Sequence, residues 1–116
     1  MKTSELTGTD LDWAVAKCEN VVYHGPAWTK FSVDWAQGGP IIEQHEIELV
    51  RITSTLWEAR ISGAWQEEGP SPLVAAMRCY VGFKMGNEVS VPGERAKDWT
   101  GAPLAYRIPG MGRFSS

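Results

Sequence analysis

The sequence has few of the residues that mark metal and thiol chemistry. Its 116 residues include two cysteines, Cys18 and Cys79, and two histidines, His24 and His45. No C-x-x-C or H-E-x-x-H spacing occurs, so we expect no metal site and no bound cofactor. In a reducing cytosol the two distant cysteines are expected to be buried thiols. Neither a G-x-S-x-G elbow nor a phosphate-binding loop occurs, and no catalytic residue is assigned.

The sequence also lacks an excess of positive charge and long apolar runs. Eleven Lys and Arg residues against fourteen Asp and Glu residues give a net charge of −3. This balance does not favour nonspecific nucleic-acid binding, which depends on clustered cations that displace counterions. No apolar run approaches about 18 residues, and the opening residues MKTSELTGTDLDW lack the apolar region of a signal peptide. We therefore expect an intracellular protein that contacts no membrane.

The composition is that of one globular domain. Hydrophobic residues make up 43% and charged residues 22% of the chain, which is typical of folded proteins of this length. We predict a single α+β domain over residues 1–92. Residues 93–116 show no sustained periodicity, and we interpret them as an extended, irregular C-terminal tail.

The clearest predicted element is a central helix over Pro72–Met85. Apolar residues recur there at helical spacing, and Ser71 suits the N-cap. Only Arg78 and Lys84 are charged in this segment. A helix that is apolar all round is usually buried on more than one side. We therefore expect a sheet on one face and either the first helix or a partner subunit on another, and we predict a two-fold homodimer.

The remaining elements are predicted to be short. A pattern resembling a capping box, Thr9-x-x-Asp12, precedes apolar residues at helical spacing and predicts a helix over Asp10–Cys18. Alternation around Ile47 and Leu49 indicates a strand that forms a hairpin with a second strand over Leu56–Ile61. Two further strands are predicted over Val21–Tyr23 and Glu88–Pro92. The predicted fold is a small antiparallel sheet packed on the central helix, with a short N-terminal helix.

An irregular stretch lies between two Gly/Pro breaks, from Gly25 to Pro40. Long ordered loops are uncommon and are often functional, so this stretch is the first candidate site. Within it we interpret Gly38-Gly39-Pro40 as a turn. The apolar pair Ile41-Ile42 that follows is expected to begin a strand.

Aromatic residues in this stretch suggest binding rather than catalysis. Trp28, Phe31 and Trp35 can present apolar faces, while Arg78 and Tyr80 lie on the central helix. Aromatic and arginine side chains dominate protein hot spots, and the same set can hold a nucleobase and a phosphate.

Two interpretations of these residues stay open. In the first, a ligand-binding groove lies between the Gly-Gly-Pro turn and the central helix and is formed by Trp35, Gly38, Gly39, Arg78 and Tyr80. In the second, Trp35 fills the core and Arg78 pairs with a carboxylate such as Glu43 or Glu58.

Three stretches together resemble the phage NinX-like family, whose function is unknown. They are "MKTSELTGTDLDWAVAKCE", "DWAQGGPIIE" and "GPSPLVAAMRCYVGFKMGNEVSVP". The resemblance covers most of residues 1–92. It implies a phage accessory protein made inside the infected bacterium, and it carries over no activity and no catalytic residue.

Two functions of different class follow as hypotheses. The preferred one is a non-enzymatic binding protein in the host cytoplasm that modulates the host, for example against a defence system. It would capture a host protein or a small nucleotide-like signal. The alternative is a small enzyme that acts on a nucleotide or nucleic acid during phage growth.

Overall fold

The computed structural model of the protein describes residues 1–91. Within this range a 3₁₀ turn at Thr3–Glu5 precedes three α-helices and three strands. In chain order these are α1 (Gly8–Glu19), α2 (Trp35–His45), β1 (Glu48–Thr53), β2 (Leu56–Ile61), β3 (Trp65–Gly69) and α3 (Pro72–Met85). The strands form an antiparallel sheet in the order β1-β2-β3. The predicted α+β fold is confirmed. The predicted end of the domain and the tail over residues 93–116 lie outside the described residues.

The central helix begins and ends where the sequence predicts. The hydroxyl of Ser71 accepts a hydrogen bond from the N–H of Val74 at 3.2 Å, and Pro72 occupies the first turn, where its missing N–H costs nothing. Gly86 follows the helix with φ of 90°, a conformation that glycine adopts without steric cost. Met77 and Tyr80 are buried, as the predicted packing of this helix on the sheet requires.

One side of α3 lies unusually close to the sheet. A Cβ atom on Gly82 would stand 2.0 Å from Nε1 of Trp65, and one on Gly69 would stand 2.7 Å from the backbone nitrogen of Ala75. Glycine at both positions allows the helix and β3 to approach each other. The thiol of Cys79 lies on the same side, 3.5 Å from the carbonyl oxygen of Trp65.

The other side of α3 packs against the two remaining helices. The Tyr80 hydroxyl donates a hydrogen bond to the Glu19 carboxylate at the end of α1. The ring of His45, the last residue of α2, lies 4.8 Å from the Tyr80 ring, centroid to centroid. The second contact expected for this helix therefore comes from the same chain. The homodimer stays a prediction, and the apolar character of α3 no longer requires it.

The predicted turn at Gly38-Gly39-Pro40 is wrong, because these residues lie inside α2. So do Ile41 and Ile42, which were expected to begin a strand. The helix starts because the carboxylate of Asp34 accepts the N–H of Ala36 at 3.0 Å. A residue before proline normally avoids helical backbone angles, because its Cβ clashes with the proline ring. Gly39 has no Cβ, so it can take helical angles before Pro40.

Several element boundaries also differ from the predictions. Helix α1 is longer than Asp10–Cys18, and Asp12 does not cap it: the Asp12 carboxylate is buried and accepts the N–H of Ser32 at 2.8 Å. Residues 21–23 form no strand, since the chain leaves α1 through a left-handed Asn20.

Near the predicted last strand, Glu88 forms an isolated bridge with Lys2. Strand β3 was not predicted, because Trp65-Gln66-Glu67-Glu68-Gly69 shows no apolar alternation.

The two adjacent glycines of α2 give a test of this packing. A Cβ on Gly38 would stand 2.5 Å from the carbonyl oxygen of Phe31 and 2.7 Å from Cδ1 of Leu73, whereas one on Gly39 meets only Cε3 of Trp35, at 3.9 Å. We expect Gly38→Ala to lower the free energy of unfolding by about 1–3 kcal/mol through overpacking. Gly39→Ala should change it by less than about 1 kcal/mol, because a gain in helix propensity offsets the pre-proline restriction. Urea unfolding of both variants measures the difference, and equal losses would contradict the packing of Gly38.

Candidate functional site

The five residues of the predicted groove lie on two helices. Trp35, Gly38 and Gly39 belong to α2, while Arg78 and Tyr80 belong to α3. Gly38 packs against Leu73 in the first turn of α3, whereas Arg78 contacts the chain before α1 and the end of β3, and Tyr80 contacts the ends of α1 and α2. Within residues 1–91, no hydrogen bond or ring contact joins Trp35 to Arg78 or Tyr80.

Arg78 holds two backbone carbonyl groups. Its Nε–H donates to the carbonyl of Leu6 at 2.7 Å, and its Nη1–H donates to the carbonyl of Glu68 at 2.8 Å. Burial lowers the pKa of the guanidinium, and the nearby Glu67 carboxylate opposes this shift. Arg78 thus ties the chain before α1 and the end of β3 to the central helix.

The predicted ion pair between Arg78 and a carboxylate such as Glu43 or Glu58 is wrong. The partners of Arg78 are the two carbonyl oxygens, and Glu58 instead pairs with Arg60 at 3.0 Å. A carbonyl ligand cannot be recognised from sequence spacing, because every residue carries one.

A cleft of about 500 Å³ opens beside Arg78. Its lining includes the hydroxyl residues Ser4 and Thr55 together with Glu67 and Glu68. One guanidinium beside two carboxylates leaves no excess of positive charge for a phosphate group. This cleft therefore suits an anionic ligand poorly.

Tyr80 is already engaged in a hydrogen bond, and the two cysteines are poorly ionised. Tyr80 donates its hydroxyl to Glu19, and burial together with that bond raises the pKa of the phenol. Burial also raises the pKa of the free Cys18 thiol to about 11 and that of the free Cys79 thiol to about 12. Because the thiolate is the reactive form, both cysteines are weak nucleophiles at neutral pH. Among residues 1–91, no cluster of three or more His, Cys, Asp or Glu side chains has the geometry to hold a metal ion.

The segment between α1 and α2, residues 20–34, is fastened to both flanking helices. On the α1 side, the buried Asp12 carboxylate accepts the N–H of Ser32. On the α2 side, Gln37 uses both ends of its amide: Oε1 accepts the N–H of Lys30 at 2.7 Å, and Nε2 donates to the carbonyl of Trp28 at 2.9 Å. Because side chains from both helices hold its backbone, the segment has a defined conformation despite its lack of regular secondary structure.

This ordered segment carries four of the nine large hydrophobic side chains that are exposed among residues 1–91, and a fifth, Trp35, follows it directly. Trp28 is 76% exposed, Val22 69% and Val33 70%, and Trp35 at the start of α2 is 52% exposed. An open groove of about 460 Å³ lies beside Trp28, and its apolar lining comes from Val21, Val22, Trp28 and Phe31. The term aromatic surface denotes these residues together: Val21, Val22, Trp28, Phe31, Val33 and Trp35.

The sequence indicates only part of this surface. Trp28, Phe31 and Trp35 are visible as aromatic residues in a Gly/Pro-rich stretch. Val21 and Val22 were assigned to a strand instead, and neither Val33 nor Gln37 carries a signal of its own. The sequence does hold one local clue to Val21 and Val22. The pair follows Asn20, which ends α1, and it belongs to no helical or strand-like repeat of apolar residues, so its exposure could have been expected.

Replacement of Arg78 tests its structural role. We expect Arg78→Ala to lower the free energy of unfolding by about 1–3 kcal/mol, because two carbonyl groups lose a charged donor. Arg78→Lys should recover part of the loss, since an ammonium group cannot span both carbonyls as the guanidinium fork does. Chemical denaturation of the three proteins measures this order. An Arg78→Ala variant as stable as the wild type would contradict it.

The buried Asp12 carboxyl predicts a dependence of stability on pH. Burial raises the pKa of Asp12 above its ordinary value of 3.8, although the N–H of Ser32 opposes the shift. The folded protein therefore keeps a proton on Asp12 at pH values where the unfolded chain has lost it. This group accordingly makes the free energy of unfolding fall as the pH rises from 3.8 through the folded pKa.

Asp12→Asn retains the oxygen acceptor but cannot ionise. We expect the stability of Asp12→Asn relative to the wild type to increase between about pH 4 and pH 7. Urea unfolding at both pH values measures the change, with Asp10→Asn on the same helix as the control. A relative stability of Asp12→Asn that is the same at both pH values would contradict the raised pKa.

None of the helices between residues 1 and 91 is long and apolar enough to cross a membrane. A comparison with curated proteins finds no match. A comparison with protein families finds one: the family model described as "Bacteriophage P22, NinX" matches residues 2–84. The match spans both helices that flank the aromatic surface, the sheet and nearly all of α3. The chain therefore belongs to the phage P22 NinX family.

Proposed function

We propose that this phage protein is a non-enzymatic binding protein whose aromatic surface engages a protein of the host. The observation that carries the proposal is the exposure of Trp28, 76%, on a segment that hydrogen bonds from both flanking helices hold in place. Contiguous exposed apolar side chains commonly mark interaction sites in proteins that are otherwise well packed. Tryptophan is also among the residues that contribute most to protein–protein affinity.

The fastening of the segment supports binding for a thermodynamic reason. A flexible loop loses conformational freedom when a partner orders it, and this loss weakens the complex. Here Asp12 and Gln37 already hold the backbone at Ser32, Lys30 and Trp28. Less entropy is then lost on association.

A protein partner suits the surface better than a nucleotide. Trp35 and Val33 are further exposed apolar side chains that do not line the groove beside Trp28. A nucleotide would also need cationic or backbone donors for its phosphates, and Lys30 is the one Lys or Arg residue between Asn20 and Trp35. We propose that the protein occupies a host protein in the host cytoplasm and thereby modulates the host. A defence protein is the kind of target whose occupation benefits a phage directly.

The experiment compares two aromatic-to-alanine replacements. Tagged wild-type protein, Trp28→Ala and Phe83→Ala are used to capture proteins from a lysate of the host bacterium. Phe83 is the matched control, because it is a 42% exposed aromatic residue on α3. We expect the wild type and Phe83→Ala to enrich the same host protein, and Trp28→Ala to lose at least about tenfold of it, as hot-spot residues do.

Thermal unfolding of Trp28→Ala and of the wild type shows whether a loss of capture comes from lost binding or from lost folding. Because Trp28 is largely exposed, its replacement should change the free energy of unfolding by less than about 0.5 kcal/mol. Equal capture by all three proteins, or equal loss in both variants, would show that the aromatic surface is not the binding site.

A further inference from the structure

Strand β3 forms an open edge of the sheet in the part of the chain that the structure describes. Where the hairpin between β2 and β3 turns, the N–H of Ala64 donates to the carbonyl of Ile61 at 2.7 Å, so the backbone groups of Ile61 point toward β3. Hydrogen-bonded and non-hydrogen-bonded pairs alternate along antiparallel strands. By the register of the two strands, the backbone groups of Gln66 and Glu68 therefore point away from β2.

Three of these four outward backbone groups are available to a further strand. The carbonyl of Glu68 accepts from Arg78 at 2.8 Å. The N–H of Glu68 and both backbone groups of Gln66 have no protein partner among residues 1–91. An open edge of this kind can pair with another extended segment, and native proteins commonly cover such edges.

Two clefts connect this edge with the last described residues. The first cleft, of about 500 Å³, is lined by every residue from 66 to 70. The second, of about 480 Å³, shares Ser4 and Glu67 with the first and extends to Glu88. The chain is held in place at this point, because the N–H of Thr3 donates to the carbonyl of Asn87 at 2.8 Å. The residues that follow Val91 therefore start beside the edge of β3.

The sequence after Val91 contains one strand-like pattern. Between two prolines, the large apolar residues Leu104, Tyr106 and Ile108 alternate with Ala105 and Arg107. Alternation at a period of two in a short stretch bounded by turn residues is typical of a strand. The stretch has the same length as β3, which has five residues.

The linker before this stretch is long enough to reach any part of the edge. Residues 92–103 can span up to about 40 Å when extended. A strand of five residues, such as β3, is about 17 Å long. The stretch can therefore lie beside β3 in either direction.

We infer that residues 104–108 bind along the open edge of β3 as a fourth strand of the sheet. Their backbone would pair with Gln66 and with the N–H of Glu68, and Leu56 and Pro70 of the first cleft offer apolar contacts to their side chains. The covalent link favours this segment over a strand from another molecule, because a short linker gives an effective concentration in the millimolar range. The inference is independent of the proposed function, since it involves no residue of the aromatic surface.

Hydrogen exchange in the full chain, followed residue by residue by NMR, tests the inference. We expect the N–H groups of Gln66 and Glu68 to have protection factors at least about tenfold larger than that of Leu49. Leu49 is the reference because it pairs with Ala59, whose backbone groups point toward β3 by the same alternation. The N–H of Leu49 therefore lies on the open edge of β1.

Proline variants show which segment provides the protection. Tyr106→Pro and Arg107→Pro are made separately, because the N–H groups of adjacent residues point to opposite sides of a strand. Proline removes a donor from the ladder, so at least one variant should lower the protection of the two edge amides to that of Leu49. The N–H of Glu67 belongs to the ladder with β2 and should stay protected. Met111→Pro, outside residues 104–108, is the matched control and should leave the protection unchanged.

Fast exchange of both edge amides in the wild type would overturn the inference. So would protection that survives Tyr106→Pro and Arg107→Pro, or protection that Met111→Pro also removes. A loss at Glu67 that accompanies the loss at the edge would contradict a contact confined to the edge. Protection that falls when the protein is diluted would assign the edge to a strand from another molecule and would also reject the inference. None of these results affects the capture experiment with Trp28→Ala, which tests the proposed function separately.

Discussion

The burial of α3 on two opposite sides is the constraint on which the rest of this structure depends. On one side, Gly82 and Gly69 remove the Cβ atoms that would keep the helix away from β3. On the other, Tyr80 reaches the Glu19 carboxylate of α1. A sheet of three strands is too small to enclose a core alone, and the second layer of helices completes it. The side chains that α3 presents therefore determine where β3, α1 and α2 lie.

This arrangement leaves the segment between α1 and α2 outside the core. Its conformation depends on polar contacts: Asp12 holds Ser32, and Gln37 holds Lys30 and Trp28. These contacts have a cost, since the Asp12 carboxyl is buried and its pKa is raised. These contacts fix the backbone of the segment, so its large apolar side chains are exposed to solvent in a defined arrangement.

Polar side chains elsewhere in the described domain also form hydrogen bonds with backbone groups. Arg78 donates to two carbonyls that belong to different parts of the chain, and Ser71 accepts from the first turn of α3. A half-buried arginine that satisfies carbonyl groups stabilises the fold without offering a free charge to a ligand. The polar groups of the central helix are thus used for packing, and the exposed aromatic surface lies on other parts of the chain.

The sequence by itself determined the elements whose signals are local. Ser71-Pro72 and Gly86 delimit α3, the alternation at Leu56–Ile61 indicates β2, and three motifs identify the family. Such signals are readable because caps, periodicity and turns involve residues close in the chain. They were sufficient for the α+β fold and for the aromatic character of the stretch that begins at Gly25.

Only the tertiary structure decided the remainder of the fold and the site. Gly38-Gly39-Pro40 has the composition of a turn, yet the cap at Asp34 and the close contact of Gly38 with Phe31 and Leu73 hold it in a helix. Strand β3 exists because β2 offers it a ladder of hydrogen bonds, despite its polar sequence. Arg78 and Asp12 found backbone partners 72 and 20 residues away. Whether a tryptophan fills the core or stands in water depends on contacts of that range, and the local sequence does not specify them.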